Sequence, residues 1–262
     1  MSEQPILLDI QKHVATVTLN RPEVHNAFDE NTIAELSRTF EELKTREDVT
    51  VVVLRGKGKS FSAGGDMNWM KRAAGYSEHQ NYEDAMKLAT MLNQLYMLPR
   101  LTIAVVQGAA MGGGMGLACC CDIVLADKDA IFALSEVKIG LIPATIGPYV
   151  IRALGERQAR RYFQTGERIS GKRAYEIGLV HELADRPEDV EPALHNLLNH
   201  VTANGPHAMR AAKQFCLDYA GKPLSMDAVK STAQQIARIR ATDEAKEGLG
   251  AFLEKRKANW VK

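Results

Sequence analysis

The sequence predicts an α/β fold, and three features carry that prediction. Short β-branched runs alternate with stretches whose apolar residues recur at helical spacing. Two of those runs, Thr50–Leu54 and Thr102–Val106, are almost continuously apolar, as expected of strands covered on both faces. Glycine-rich loops follow both, at 56–65 and 108–116.

Taken in order, ILLDI and VATVTLN read as two strands over 6–20, hinged near Lys12 and His13 and ended by Arg21-Pro22. Asp29 can cap a helix over 30–45 with Ile33, Leu36, Phe40 and Leu43 on one face. After the strand at Thr50–Leu54 and its loop, a helix is expected to begin near Asp66. A longer helix carries Met86, Leu88, Met91, Leu92, Leu95 and Met97 and stops before Pro99. The strand Thr102–Val106 leads into VVQGAAMGGGMGLACCCD, and Ile123–Ala126 and Ala130–Leu134 are further short strands.

Beyond about residue 145 the pattern changes. A helix is expected over Gly155–Thr165, then a turn, a helix and a short strand in ERISGKRAYEIGLV, then helices over 188–203, 206–220, 224–240 and 243–257. The last two have sparse apolar positions, Ala233, Ile236, Ala237 and Ile239, then Leu249, Phe252 and Leu253. Such faces suit subunit contacts, or a helical cap on the chain's own domain.

Composition excludes several classes. The chain has 262 residues, 45% hydrophobic and 25% charged, as in an ordinary soluble globular protein. A net charge of +1 gives no electrostatic case for nucleic acid as a partner, with Lys255-Arg256-Lys257 the only local basic run. No apolar run reaches the roughly 18–20 residues that a transmembrane helix needs. The opening MSEQPILLDIQKH lacks the basic start and long apolar core of a signal peptide. Of four Cys, three are consecutive at 119–121. They offer neither a disulfide framework nor a metal set, and read as buried thiols in a reducing cytoplasm. No metal is expected.

The glycine loops carry the chemistry. Neither KGKSFSAGGD nor MGGGMG is followed by GK[ST], and Cys119 stands where a GxGxxG motif needs its last glycine. Two glycine loops, each after a strand, can instead converge their backbone N–H groups on one oxyanion. Glu136, in FALSEVKIGLIP, has apolar neighbours on both sides, a setting that raises a carboxyl pKa and suits proton transfer. Capping a helix or pairing with Lys138 are the structural alternatives, and the residues alone favour them. Asp122 reads as a structural hydrogen-bonder at a helix–strand junction. The seven His fit no triad or metal spacing, and Ser62 lacks a GxSxG context.

Together LNRPEVHNAF, GKSFSAGGD, QGAAMGGGMGLACCCDIVLA, ALSEVKIGLIP, TGERISGKRAYEIGLV and the tail AFLEKRKANW resemble the crotonase (enoyl-CoA hydratase/isomerase) superfamily, in order over about 20–262. The resemblance implies a crotonase-like ββα spiral, a core over 1–200, and a C-terminal helical trimerisation region over 201–262. It implies an acyl-CoA thioester substrate with no separate cofactor, and a homotrimer or dimer of trimers. Ala63 and Gly113 match the positions whose N–H groups hold the thioester oxygen, and Glu136 matches the second of two catalytic glutamates. Val24, Ala63, Gly64 and Asp66 match the adenine and pantetheine path. Phe252 and Lys255 match tail positions that reach the CoA nucleotide, commonly from a neighbouring subunit. Gly116, Trp69, Met70, Ile146 and Tyr149 are expected to shape the acyl pocket.

One position departs. The first family glutamate follows GGGx, and here that residue is Gly116. Two readings follow: an isomerase shifting a proton with Glu136 alone, or a hydratase for an acyl group that brings its own carboxylate. Removing a glutamate would relieve like-charge repulsion of roughly 1–4 kcal/mol at 4 Å separation for effective dielectrics of 80 to 20. The preferred expectation is hydration of 3-methylglutaconyl-CoA to 3-hydroxy-3-methylglutaryl-CoA, in leucine or isovalerate breakdown. An RNA-binding protein and a non-catalytic CoA-binding protein are the alternatives from other classes.

Overall fold

The structure, a computed structural model, describes residues 4–261. Lys262 and the first three residues, part of the stretch read as lacking a signal peptide, lie outside the described residues. The chain divides into two compact units. One comprises the described residues up to Leu98 with Thr102–Leu194, the other Pro99–Leu101 with the described residues from His195 onward.

The first unit opens with a hairpin. Strands β1 (Ile6–Gln11) and β2 (Val14–Leu19) pair antiparallel, Ile6 opposite Leu19 and Gln11 opposite Val14. Lys12 takes the left-handed conformation, φ 56°, that a two-residue turn requires. Helix α1 (Glu30–Thr45) begins at the expected cap, where Asp29 Oδ1 accepts from the Thr32 amide at 2.8 Å and hydroxyl at 2.7 Å. Its Ile33, Leu36, Phe40 and Leu43 are buried. Strand β3 (Val51–Gly56) lies parallel to β2 and carries the chain to the first glycine loop.

Helices α2 (Met67–Ala73) and α3 (Glu78–Tyr96) follow. Met91, Leu92 and Leu95 of α3 are buried, but Met86 and Met97, expected with them, are exposed. Then come β4 (Leu101–Val106), β5 (Ala109–Met111), α4 (Gly113–Cys120), β6 (Ile123–Asp127) and β7 (Ile131–Ala133). Helices α5 (Gly147–Leu154), α6 (Glu156–Thr165) and α7 (Gly171–Glu176) complete this unit with two short strands, β8 (Ile169–Ser170) before α7 and β9 (Glu182–Ala184) after it. A six-stranded sheet runs β1-β2-β3-β4-β6-β9, and a three-stranded sheet runs β5-β7-β8. Beyond the hairpin the pairings β2–β3, β4–β6 and β6–β9 are parallel, as the buried apolar runs require. Asp122 holds the junction of α4 and β6, where Oδ2 accepts from the Thr102 amide at 2.8 Å and hydroxyl at 2.9 Å.

Two elements carry no clear sequence mark. Strand β5 is three residues long and sits inside what reads as one glycine loop. Helix α5 opens on Gly147-Pro148, a pair that reads as a turn, yet proline fits a first helical turn because its missing N–H has no helical partner there.

The boundary between the units falls within α8 (Val190–Thr202). The second unit continues with α9 (Pro206–Tyr219), α10 (Met226–Arg240) and α11 (Asp243–Leu253). The Glu244 carboxylate accepts from the His207 and Ala208 amides at 3.0 and 2.8 Å, capping α9 from α11. The last helix stops four residues before the expected 257, because Lys255 turns left-handed at φ 54° and the Arg256 amide bonds back to Ala251 O at 3.0 Å. Leu224, Met226, Val229, Ile236, Leu249, Phe252 and Leu253 are exposed. Among the described residues no helix is long and apolar enough to cross a membrane.

Candidate active site

Main-chain hydrogen bonds knit three separate stretches together. The Ser62 amide donates to Ala109 O and the Met111 amide to Ser62 O, both at 2.9 Å, joining the loop after β3 to β5. The Gly112 amide donates to Ala133 O at 2.8 Å, joining the GGG segment to the end of β7, from which Leu134–Gly140 departs. On the other side the Phe28 amide donates to Gly64 O and the Asp66 amide to Phe28 O, both at 2.7 Å.

Asp66 starts α2. Its Oδ1 accepts from the Asn68 amide at 2.8 Å, and Oδ2 pairs with Arg21 at 3.2 Å. Burial opposes its ionisation, but the Asn68 and Trp69 amides and the Arg21 guanidinium outweigh it and hold the carboxyl below its usual range. Arg21 also pairs with Asp29 at 3.1 Å, so one guanidinium ties the caps of α1 and α2.

Accounting for the loop amides corrects one expectation. The Ala63 N–H, expected as an oxyanion donor, already donates to His25 O at 2.9 Å. Gly64 donates to Ser62 Oγ at 3.2 Å. Among the described residues the Gly65 amide makes no hydrogen bond, nor does that of Gly113. Gly113 opens α4 after Gly112, which has φ 48° and no side chain to cap the helix. The two loops touch: a Cβ on Gly64, whose carbonyl carbon bears the Gly65 amide, would stand 3.6 Å from Gly113 N. Sequence reasoning missed Gly65. The signal that finds it is the Asp66 cap, which fixes the direction of the chain just before α2.

Glu136 begins a 3-10 turn, Glu136–Ile139, closed by Gly140. Its carboxyl lies against the glycine segment, with Oε1 3.0 Å from where a Cβ on Gly112 would be. Oε2 is buried without a hydrogen-bond partner among the described residues. Burial pushes the carboxyl pKa up from 4.5. No ion pair to Lys138 forms among the described residues. The Lys138 stem instead packs towards Gly166, where a Cβ would lie 3.0 Å from its Cε.

Gly116 differs from the expectation of a pocket-facing position. A Cβ there would meet Ile146 Cγ2 at 2.3 Å, so the Ile146 side chain, 2% exposed, fills that place. Trp69 and Met70 flank the free Gly65 amide, 3.5 and 3.6 Å from its Cβ position, and Trp69 Nε1 donates to Asp84 Oδ2 at 2.8 Å. Tyr149 is half-buried beside Tyr96, ring centroids 5.1 Å apart, and burial raises its phenol pKa. Val24 is half-buried next to His25. Phe252 and Lys255 belong to the helical unit and are exposed. Arg256, within the basic tail, is engaged by Glu247 and Glu254, each at 2.6 Å. Burial drives the Cys119 thiol up to about 12, which keeps it unreactive.

Two free amides beside the positive end of α4 can stabilise charge on a carbonyl oxygen, and the adjoining carboxyl can carry a proton. The relatives of the chain fit that chemistry. Residues 9–262 match the family described as enoyl-CoA hydratase/isomerase. The chain belongs to that family. A relative from Thermus thermophilus is 35% identical over 251 residues, 95% of this chain and 98% of its own. The crotonyl-CoA hydratase of Syntrophomonas wolfei is 30% identical over 264 residues, 100% of this chain and 99% of its own. The crystal structure of an enoyl-CoA hydratase from Shewanella pealeana superposes with a TM-score of 0.94 at 41% identity, over 98% of this chain and 96% of that one. The α/β architecture is therefore the crotonase fold, and the class of reaction is that of the enoyl-CoA hydratases and isomerases.

Proposed function

We propose that the chain adds water across the double bond of an α,β-unsaturated acyl-CoA, with Glu136 moving the proton. The carrying observation is the buried Glu136 carboxyl, its Oε2 partnerless and its Oε1 against Gly112, with the free Gly113 amide next in the chain and the free Gly65 amide on the loop that touches it. Those amides hold the thioester oxygen as it gains enolate charge. As the water oxygen bonds to Cβ, its proton passes to Glu136, which releases it to Cα as the thioester carbonyl reforms. A carboxyl with a raised pKa suits a group that must both take and give that proton near neutrality. Val24, Gly64 and Asp66 line the path of the CoA arm. Phe252 and Lys255 reach its nucleotide from a neighbouring copy, the helical unit packing against copies of itself through its exposed apolar residues.

The finer assignment is 3-methylglutaconyl-CoA. Supporting it is the glycine at 116, which leaves one protein carboxylate and so favours an acyl group that brings another. An isomerase is the second reading, favoured by the same single carboxyl, since a proton shift needs no bound water. A turnover panel with 3-methylglutaconyl-CoA, crotonyl-CoA and a 3-enoyl-CoA separates them: hydration adds the mass of one water, isomerisation none. Glu136→Gln is expected to lose turnover on every member of the panel, and a near-wild-type rate overturns the assignment.

A further inference from the structure

Ile146 stands where a second carboxylate would enter. Gly112 precedes α4 and Gly116 lies in its first turn, the Gly116 amide donating to Gly112 O at 3.0 Å. The Glu136 carboxyl covers the first glycine and Ile146 covers the second. A side chain rooted at 116 would emerge about 6 Å along the chain axis from the glycine that the carboxyl covers. It has no room. Ile146 Cγ2 is 2.3 Å from the Cβ position and Ile146 Cβ itself is 2.8 Å away, so trimming Ile146 to alanine would not clear the space. Nor is Ile146 loosely held. It sits at the N-terminus of α5, where its carbonyl accepts from the Tyr149 and Val150 amides, both at 3.1 Å.

We propose that Ile146 is the specificity-determining residue that holds this site to one protein carboxylate, and so selects unsaturated acyl-CoAs bearing their own carboxylate over neutral short-chain ones. This role rests on the hydration reading above. In that reaction one O–H of the water gives its proton to Glu136 while the oxygen bonds to Cβ, and the same proton reaches Cα. The remaining O–H needs an acceptor to fix the attack direction. An isoleucine side chain cannot accept a hydrogen bond, so the acceptor comes with the acyl group.

The test compares glutaconyl-CoA with crotonyl-CoA, which differ by one carboxylate, in the full-length protein. Wild type is expected to hydrate glutaconyl-CoA with the higher kcat/KM, and equal values overturn the proposal. Position 146 becomes glycine, which is tolerated at a helix N-terminus. In Gly116→Glu combined with Ile146→Gly the preference is expected to move towards crotonyl-CoA by at least about tenfold. Gly116→Gln with Ile146→Gly, and Ile146→Gly alone, are expected to leave the ratio within about threefold of wild type. A comparable shift in Ile146→Gly alone would mean that volume decides, and overturns the proposal, as does a folded glutamate double variant with an unchanged ratio. Should the glutamate variant not fold, formate added to Ile146→Gly supplies the acceptor. Saturable acceleration of crotonyl-CoA hydration there, and not in wild type, supports the proposal, and no acceleration overturns it. Glu136→Gln separates the two levels: retained turnover sinks hydration by Glu136, whereas an unmoved ratio with Glu136→Gln inactive sinks only the role of Ile146.

Discussion

Glu136 is the residue whose chemistry and stability pull in opposite directions. Its buried carboxyl binds a proton more tightly in the folded chain than in the unfolded one. Folding stability therefore falls as pH rises from the ordinary value of 4.5 through the raised native value. Glu136→Gln removes that decline, so its Tm is expected to exceed that of wild type at pH 8 and the gap to close near pH 4. A gap that does not vary with pH contradicts the assignment. The same change is expected to lower kcat by about 10²–10⁴-fold, measured on the preferred acyl-CoA. Because the proton is first taken by the ionised form, kcat/KM is expected to rise with pH along an acid limb lying above the ordinary glutamate value. At the donor loop, Gly65→Pro deletes an amide that makes no internal bond and is expected to cost about 10²–10³-fold in kcat with little change in Tm. Local apolar neighbours mark Glu136 as a candidate, but the residues alone favour a cap or an ion pair with Lys138, and the family resemblance is what points to proton transfer. The resemblance names Ala63 as a donor, two residues before the unbonded Gly65 amide, because the direction of the Ala63 N–H depends on a bond to His25, far away in the chain.

At the scale of elements, the caps and packings hold the loops in place. Arg21 ties Asp29 to Asp66 and so links the starts of α1 and α2 across the donor loop. Asp66→Ala loses the cap and the ion pair together and is expected to destabilise by about 1–2 kcal/mol, read by denaturant unfolding, with KM for acyl-CoA raised. Between α4 and α5, Gly116→Ala places a methyl against Ile146 and is expected to destabilise by about 1–3 kcal/mol. Combining it with Ile146→Gly should recover part of that loss, and strict additivity would argue against the contact. The start of α1 is legible because its signal, an Asp ahead of a helical apolar stripe, is contiguous. Strand β5 and helix α5 are not: one is defined by partners in other loops, and the other begins on residues that usually signal a turn.

At the scale of the whole molecule, the groups around Glu136 and the exposed apolar helices fall in different units. Every group assembled around Glu136 belongs to the unit ending at Leu194. The helical unit exposes Leu249 and Phe252, 56% and 79% accessible, which a chain that stayed single would have reason to avoid. Sedimentation velocity is expected to show a trimer or a dimer of trimers, and Leu249→Glu with Phe252→Glu a smaller species. The sparse apolar spacing of the last two helices reads in the sequence as suited either to subunit contacts or to a cap on the chain's own domain, and carries no mark of a partner surface. The α/β alternation is legible because most strands, β5 excepted, announce themselves locally, whereas the sorting of strands into two sheets depends on bonds made across the chain.

In the proposed reaction the groups that hold the oxygen are the main-chain amides of two glycines. Exchanging one amino acid for another, proline excepted, leaves an N–H in place. Substitution in the cradle therefore acts through its shape, since a Cβ on Gly113 would stand 2.8 Å from Phe28, whereas at 116, 136 and 146 it changes the side chain itself. A lineage can rewrite the reacting groups and keep the enolate-holding frame. For protein engineering, new reactivity on this scaffold should be sought at those three side-chain positions, with the loops that present the amides left untouched.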